Sequence, residues 1–202
     1  DLNFVISRDT GIIQLLNHPD INEVYKFQTK NIPFGNVWIN HHIQFSKLIK
    51  KYKPKTVIEI GGAQGYLANL CMENSEDLNW TIVEPNPNIL NKKINIIKSY
   101  FNPKLHLKDS FDAIVHSHVF EHFLNPLDTA LQISEGIKKN SLMFASIPNL
   151  WKWVEKCQPN GLNFEHTYLL SKVHFEQVFQ KAGFEILETL EYGDGHSIFY
   201  VF

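Results

Sequence analysis

The sequence predicts an α/β fold, an open Rossmann-like sheet of mostly parallel strands with helices on both faces. Three observations carry that expectation. Apolar, β-branched runs of strand length recur at 55–60, 80–84, 94–98, 111–116 and 141–147, with stretches of helical length between most of them. The first run ends in Gly61-Gly62-Ala63-Gln64-Gly65, a glycine-rich turn leading into a helix. Glycines there let the backbone turn tightly and leave no side chain between it and a ligand. An acid, Glu84, closes the second run 19 residues after Gly65, where a carboxylate can accept hydrogen bonds from both hydroxyls of an adenosine ribose.

The elements follow in order. Residues 1–36 read as irregular, with short helical pieces around 12–16 and 21–27, and Pro33-Phe34-Gly35-Asn36 breaks the pattern. Ile39, Ile43, Leu48 and Ile49 mark an amphipathic helix over 39–52 that Pro54 closes. The strand at 55–60 leads to a helix at 65–74, and the strand at 80–84 to a helix after Pro87. A short third strand spans 94–98. The fourth, 111–116, precedes a helix at 128–138, and the fifth spans 141–147. A helix at 172–182 ends at Gly183. Strands at 184–190 and 197–202 flank the turn Tyr192-Gly193-Asp194-Gly195-His196, so one of them should run antiparallel.

Bulk numbers exclude several classes. The 202 residues suit one globular domain with a sizeable core, at 44% hydrophobic and 13% aromatic. Nineteen basic and 21 acidic residues give a net charge of −2. Lys47, Lys50, Lys51, Lys53 and Lys55 read as a solvated helix end, so no nucleic-acid face is expected. No run of 18 apolar residues and no signal peptide is present, so a membrane partner is not expected. Cys71 and Cys157 are the two cysteines, far apart and outside any paired motif. A disulfide or structural zinc is therefore not expected, and a cytoplasmic location is.

Glu59 lies two positions before Gly61, where dinucleotide dehydrogenases usually carry an apolar residue. With Glu59-Ile60-Gly61-Gly62-Ala63-Gln64-Gly65, the block from Asp112 to Pro126 containing Phe120-Glu121-His122, and Ser146-Ile147-Pro148-Asn149, the chain resembles class I S-adenosylmethionine-dependent methyltransferases. The resemblance covers about 40–202, and Ala63 stands where the motif's middle glycine would be. It implies seven strands in the order 3-2-1-4-5-7-6 with strand seven antiparallel. It also implies an N-terminal cap at 1–40, a methyltransferase domain at 41–202, and S-adenosylmethionine as cofactor, with S-adenosylhomocysteine as product. Phe164-Glu165-His166-Thr167-Tyr168-Leu169-Leu170-Ser171 further resembles methyltransferases acting on nucleotide-linked sugars, some of which methylate carbon. Those carbon-methylating enzymes carry a cysteine-rich zinc region and a further C-terminal domain that residues 1–202 do not show, so oxygen is the expected target.

The cofactor is expected on Glu59, Gly61, Gly62, Ala63, Gln64, Gly65, Glu84, Pro85, Ser99 and His118. Methyl transfer is an in-line displacement at a sulfonium carbon, so the acceptor must be held close and lose a proton. A neutral His suits that task. His122, Glu165 and His166 are the catalytic candidates, since each follows a strand end on the cofactor side. His116 is expected to pack, His41 or His42 to face the pocket in part, and His196 to build its turn. No clustered carboxylates show metal-ligand spacing, so no metal is expected. The expected activity is methylation of a small polar acceptor, best a sugar oxygen or another group on a nucleotide, by a monomer or homodimer. Carbon methylation, a non-catalytic binding subunit and an NAD-dependent reductase are the alternatives. Glu59 and the absence of a Tyr-x-x-x-Lys pair disfavour the reductase.

Overall fold

The computed structural model describes residues 2–26, 35–108 and 111–202. The elements are β1 (Phe4–Ile6), β2 (Ile13–Leu15), α1 (Ile21–Lys26), α2 (Asn36–Tyr52), β3 (Thr56–Ile60), α3 (Tyr66–Met72), β4 (Asn79–Val83), β5 (Asn95–Ile97) and α4 (Pro103–His106). Then come β6 (Ala113–Ser117), a 3₁₀ turn at Phe120–His122, α5 (Pro126–Gly136), β7 (Leu142–Pro148), α6 (Leu150–Glu155), a 3₁₀ turn at Pro159–Gly161, β8 (Tyr168–Leu169), α7 (Lys172–Lys181), β9 (Glu188–Tyr192) and β10 (Ser197–Val201).

Seven strands form one sheet in the order β5-β4-β3-β6-β7-β10-β9. Counted within that sheet, this is the expected 3-2-1-4-5-7-6. β10 runs antiparallel to both β7 and β9, while β5, β4, β3, β6 and β7 are parallel. The β9–β10 hairpin closes through Gly193, Asp194 and Gly195, all at positive φ. Interior strands are apolar on both faces, because helices cover both. In β3, Val57 joins Phe45, Leu48, Ile49 and Trp80 on the α2–α3 side. Its neighbour Ile58 joins Ile133, Phe175, Phe179 and Tyr200 on the α5–α7 side. The period of two along a strand produces this alternation.

Parallel pairing puts the carboxyl ends of β3, β4, β6 and β7 along one edge of the sheet, and every candidate site residue follows one of these ends or β5, except Glu59, the penultimate residue of β3. A second small sheet, β1-β2-β8, sits at the same edge. There Ile13 pairs with Leu169, and the Leu15 N–H donates to the Thr167 carbonyl at 2.9 Å.

Several local expectations differ. Residues 13–15 form a strand rather than helix, because their N–H and C=O groups find partners in β1 and β8. No helix follows Pro87. The Asn86 N–H bonds the Glu84 carboxylate at 2.9 Å and the Asn88 N–H bonds the Ala63 carbonyl at 3.1 Å, so this backbone is tied to the glycine turn. α4 and α6 were not foreseen. α4 is four residues long, and both use an Asn side chain as N-cap, Asn102 and Asn149. α2 starts at Asn36, so position 40 lies inside a continuous helix. The Pro33-Phe34 break and Phe27 lie outside the described residues. Among the described residues, no helix is long and apolar enough to cross a membrane.

Candidate active site

The glycine turn is built as a cradle. Gly61 has φ +72°, and a Cβ there would lie 2.6 Å from Val119 Cγ2. A Cβ on Gly62 would lie 2.8 Å from Ile82 Cδ1 and 3.1 Å from the Glu59 carboxyl carbon. Gly65, at φ +69°, caps α3, and its N–H closes the turn on the Gly62 carbonyl at 2.7 Å. Ala63 sits at φ 44° and His118 at φ 52°, conformations that non-glycine residues seldom adopt and that concentrate at functional sites.

The Glu84 carboxylate accepts from the Ala63 N–H at 3.2 Å and from the Asn86 N–H at 2.9 Å, which fixes its direction. It faces a cavity of about 500 Å³ that Gly61, Ala63, Gln64, Pro85 and His118 also line. Tyr100 and Phe101 give this cavity an aromatic wall, and Tyr25 of α1 lies at its border. Ser99 does not line it. Its hydroxyl pairs with His106 at 3.2 Å, one residue before the chain turns Tyr100 inward. Glu59 is buried beneath the turn, where its carboxylate accepts from the Trp80 indole N–H at 2.8 Å. Burial pushes its pKa up to about 7, against the pull of that indole bond.

A second cavity of about 720 Å³ shares Gly61, Ala63, Ser117, His118 and His122 with the first. It brings the three catalytic candidates together: His122, Glu165 and His166 all line it. The cause is a stitched loop. Thr167 donates from its N–H to the Glu121 carbonyl at 2.9 Å and from its hydroxyl to the Phe123 carbonyl at 2.6 Å. That holds the loop after β7 against the turn after β6, and the His122 and His166 rings stand 5.2 Å apart. His166 Nδ1 donates to the Gly161 carbonyl at 2.8 Å, so its Nε2 is the bare nitrogen. His122 Nδ1 pairs with the Tyr25 hydroxyl at 2.6 Å. Burial lowers the pKa of both rings, His122 to about 3, and raises that of Glu165.

Glu121 is the residue that sequence reasoning missed as a site residue. It is 5% exposed and lines the second cavity, and neither carboxylate oxygen has a hydrogen-bond partner among the described residues. Its Oε1 lies 3.7 Å from His118 Nδ1 and 4.0 Å from His166 Nε2. Burial pushes its pKa up to about 8. The signal was an acid directly after an apolar strand and beside His122; the sequence did not show that both would turn inward.

Other histidines form the floor. Ser197 Oγ lies 2.8 Å from His118 Nε2, 2.7 Å from His196 Nδ1 and 3.2 Å from His41 Nδ1. His41 Nε2 also reaches Ser117 Oγ at 3.0 Å. Burial lowers the His41 pKa to about 2, so this ring is neutral and acts as a hydrogen-bonded brace. His42 and His196 line the second cavity, with Trp38 and Trp153. His116 packs on Phe120 at 5.6 Å, as expected.

The donor set fits S-adenosylmethionine. Two glycines whose Cβ positions are already filled leave bare backbone for close approach, and Glu84 offers a fixed carboxylate for a ribose diol. The family described as "Methyltransferase domain" matches residues 40–189. No curated protein sequence matches the chain. Among solved structures, a possible histamine N-methyltransferase from Thermotoga maritima aligns over 90% of this chain and 94% of its own, at 19% identity and TM-score 0.63. A Pyrococcus horikoshii protein aligns over 89% and 97%, at 15% identity and TM-score 0.64. Mitomycin 7-O-methyltransferase aligns over 83% of this chain at 16% identity and TM-score 0.65, and the match spans about half of that enzyme, 54%. Likeness at these identities establishes the fold. The family match over residues 40–189, with the filled glycine cradle and Glu84, places this chain in the methyltransferase-domain family, with S-adenosylmethionine as its cofactor.

Proposed function

We propose that this chain transfers a methyl group to an oxygen of a small polar acceptor, a sugar or another group carried on a nucleotide. The observation that carries this reading is the meeting of two cavities at Gly61, His118 and His122. One cavity is built for adenosine; the other is lined with groups that bind and deprotonate a hydroxyl. The cofactor supplies an electrophilic methyl on a sulfonium. Glu84 and the glycine turn hold it, while Glu59 presents a carboxylate to its cationic end. Trp38 and Trp153 give flat apolar walls against which a sugar ring can lie. His166, with its bare Nε2, and Glu165 take the acceptor's proton, and His122 orients the acceptor. The nucleotide would lie at the mouth of the second cavity. Residues 1–40 act as a cap: Tyr25 reaches His122, and the Asn86 side-chain amide donates to the Tyr25 carbonyl at 3.1 Å. Cys71 and Cys157 are both free, which suits a reducing cytoplasm.

The test is calorimetric binding of S-adenosylmethionine, then a mass-spectrometric product screen against nucleotide-linked sugars and their unlinked sugars. Methyl transfer to a sugar oxygen is the expected result. His166→Gln should then cut turnover by about 10²–10⁴ while cofactor affinity stays within a few-fold. Methylated carbon, or no product despite tight cofactor binding, would overturn the oxygen reading.

A further inference from the structure

We propose that Glu121, His122 and His166 form a binding site for a first-row divalent transition cation of the zinc or manganese class. The inference rests on the reading that the second cavity holds the acceptor, whose hydroxyl would take an open coordination position. It departs from the sequence expectation of no metal, because the ligands come from two segments 44 residues apart that the Thr167 stitch brings together.

Four observations support it. One ligand atom from each residue lies within 4.8 Å of the other two. Ligands about 2.0–2.2 Å from an ion stand roughly 3–3.5 Å apart, so the side chains need close by only about an ångström or so. Glu121 is buried with both oxygens unpartnered among the described residues, and a buried carboxylate calls for a cation. Both histidines are pinned through Nδ1, His166 by the Gly161 carbonyl and His122 by the Tyr25 hydroxyl. The carbonyl fixes the His166 tautomer with Nε2 bare, and the Tyr25 hydroxyl orients the His122 ring, as outer partners do for a metal-bound imidazole. No Lys or Arg is among the described residues lining the cavity, so no resident positive charge competes. Two imidazoles with one carboxylate suit zinc, manganese, iron, cobalt or nickel better than calcium or magnesium.

The contrast with His41, His118 and His196 sharpens the choice. Those nitrogens also cluster, but Ser197 Oγ sits among them within hydrogen-bond distance of each. That group is satisfied, whereas the Glu121 carboxylate is not. With the His166 Nε2 taken up by the cation, the base is Glu165 alone: a cation at Glu121, His122 and His166 would lower the pKa of the acceptor hydroxyl, and the O–H proton would pass to Glu165. The freed oxygen pair forms the O–C bond as the C–S pair leaves on sulfur, giving S-adenosylhomocysteine and the methyl ether.

The experiment uses the full chain stripped with a chelator, dialysed and titrated with Co²⁺, followed by visible d–d absorption, with Zn²⁺ competition. One Co²⁺ per chain that Zn²⁺ displaces is the expected result. Glu121→Gln and His166→Ala should weaken binding about tenfold or more, and His18→Ala, at an exposed position, should not change it. If either ligand variant misfolds by circular dichroism, Tyr25→Phe keeps all three ligands and should still weaken binding about tenfold. The parent failing to bind stoichiometrically, or binding unchanged in Glu121→Gln, would overturn the site. These readouts need no acceptor. Full turnover by stripped enzyme in chelator would therefore sink the metal and leave the acceptor reading standing. Cation binding with no response of the Co²⁺ spectrum to any methylated acceptor would overturn the proposed role of the cation on the acceptor.

Discussion

Glu59→Gln should abolish a pH dependence that the buried carboxylate imposes on both stability and cofactor binding. Glu59 is 4% exposed, and burial pushes its pKa up from the ordinary 4.5 to about 7. Glu84, just after β4, pushes the same way, the Trp80 indole pulls against it, and Cys71 on α3 faces it as a thiol. The folded chain therefore binds more protons here than the unfolded chain between pH 4.5 and 7, and the stability contributed by this residue falls as pH rises through that window. At about 1.4 kcal/mol per pH unit, the gap is worth about 3 kcal/mol. Gln keeps an oxygen for the Trp80 N–H and removes the ionisation. The difference in urea-unfolding free energy, variant minus parent, should grow by about 3 kcal/mol from pH 4.5 to above 7, which cancels the titration of every other group. Cofactor binding should run the opposite way. Its cationic end prefers ionised Glu59, so parent affinity should rise about tenfold from pH 6 to pH 8 and that of Glu59→Gln should stay flat. Parallel pH profiles for parent and variant, in both assays, would refute the burial argument.

Other substitutions test the cradle and the core. Gly61→Ala would place a side chain at φ +72° and 2.6 Å from Val119, costing about 1–2 kcal/mol in backbone alone, and calorimetry should show weakened cofactor binding. Glu84→Ala should weaken binding about tenfold to a hundredfold, from 1.5–3 kcal/mol of charged hydrogen bonding; unchanged affinity would remove Glu84 from the site. His116→Leu should raise the melting temperature, because both ring nitrogens of His116 are buried without hydrogen-bond partners among the described residues, and an orphaned polar group costs about 1–3 kcal/mol. Burial lowers the His116 pKa to about 3, so the folded chain binds fewer protons than the unfolded below pH 6.5 and loses stability as pH falls. His116→Leu should accordingly move the acid-unfolding midpoint to lower pH.

Legibility followed the range of the interactions. The strands came through because β3, β4, β6 and β7 are interior, and an interior strand must be apolar on both faces whatever it neighbours, while their order rested on the resemblance to class I methyltransferases. The glycine turn came through because the requirement is local: Gly61 and Gly65 need positive φ, and Gly62 has no room for a Cβ. The helix expected after Pro87 failed for a long-range reason, since the Asn88 N–H is claimed by Ala63 across the turn. The strand at 13–15 failed in part likewise: β1 is a near neighbour in sequence, but its second partner, β8, lies more than 150 residues away.

The acceptor side shows where such reading ends. Glu165 and His166 could be picked out by residue type and by their place after a strand, but what they do depends on what stands opposite. Thr167 decides that. Its N–H and hydroxyl lock onto the Glu121 and Phe123 carbonyls, bringing the bare Nε2 of His166 to 4.0 Å from a carboxylate with no hydrogen bond among the described residues. Thr167 carries no motif signal, yet it joins the two halves of the acceptor wall. Thr167→Val keeps the shape and removes the hydroxyl donor, leaving the backbone stitch in place. A disproportionate loss of turnover, with cofactor affinity and melting temperature nearly unchanged, is the expected result. Turnover equal to the parent would mean that the backbone bond from Thr167 to Glu121 is enough to hold His166 against Glu121.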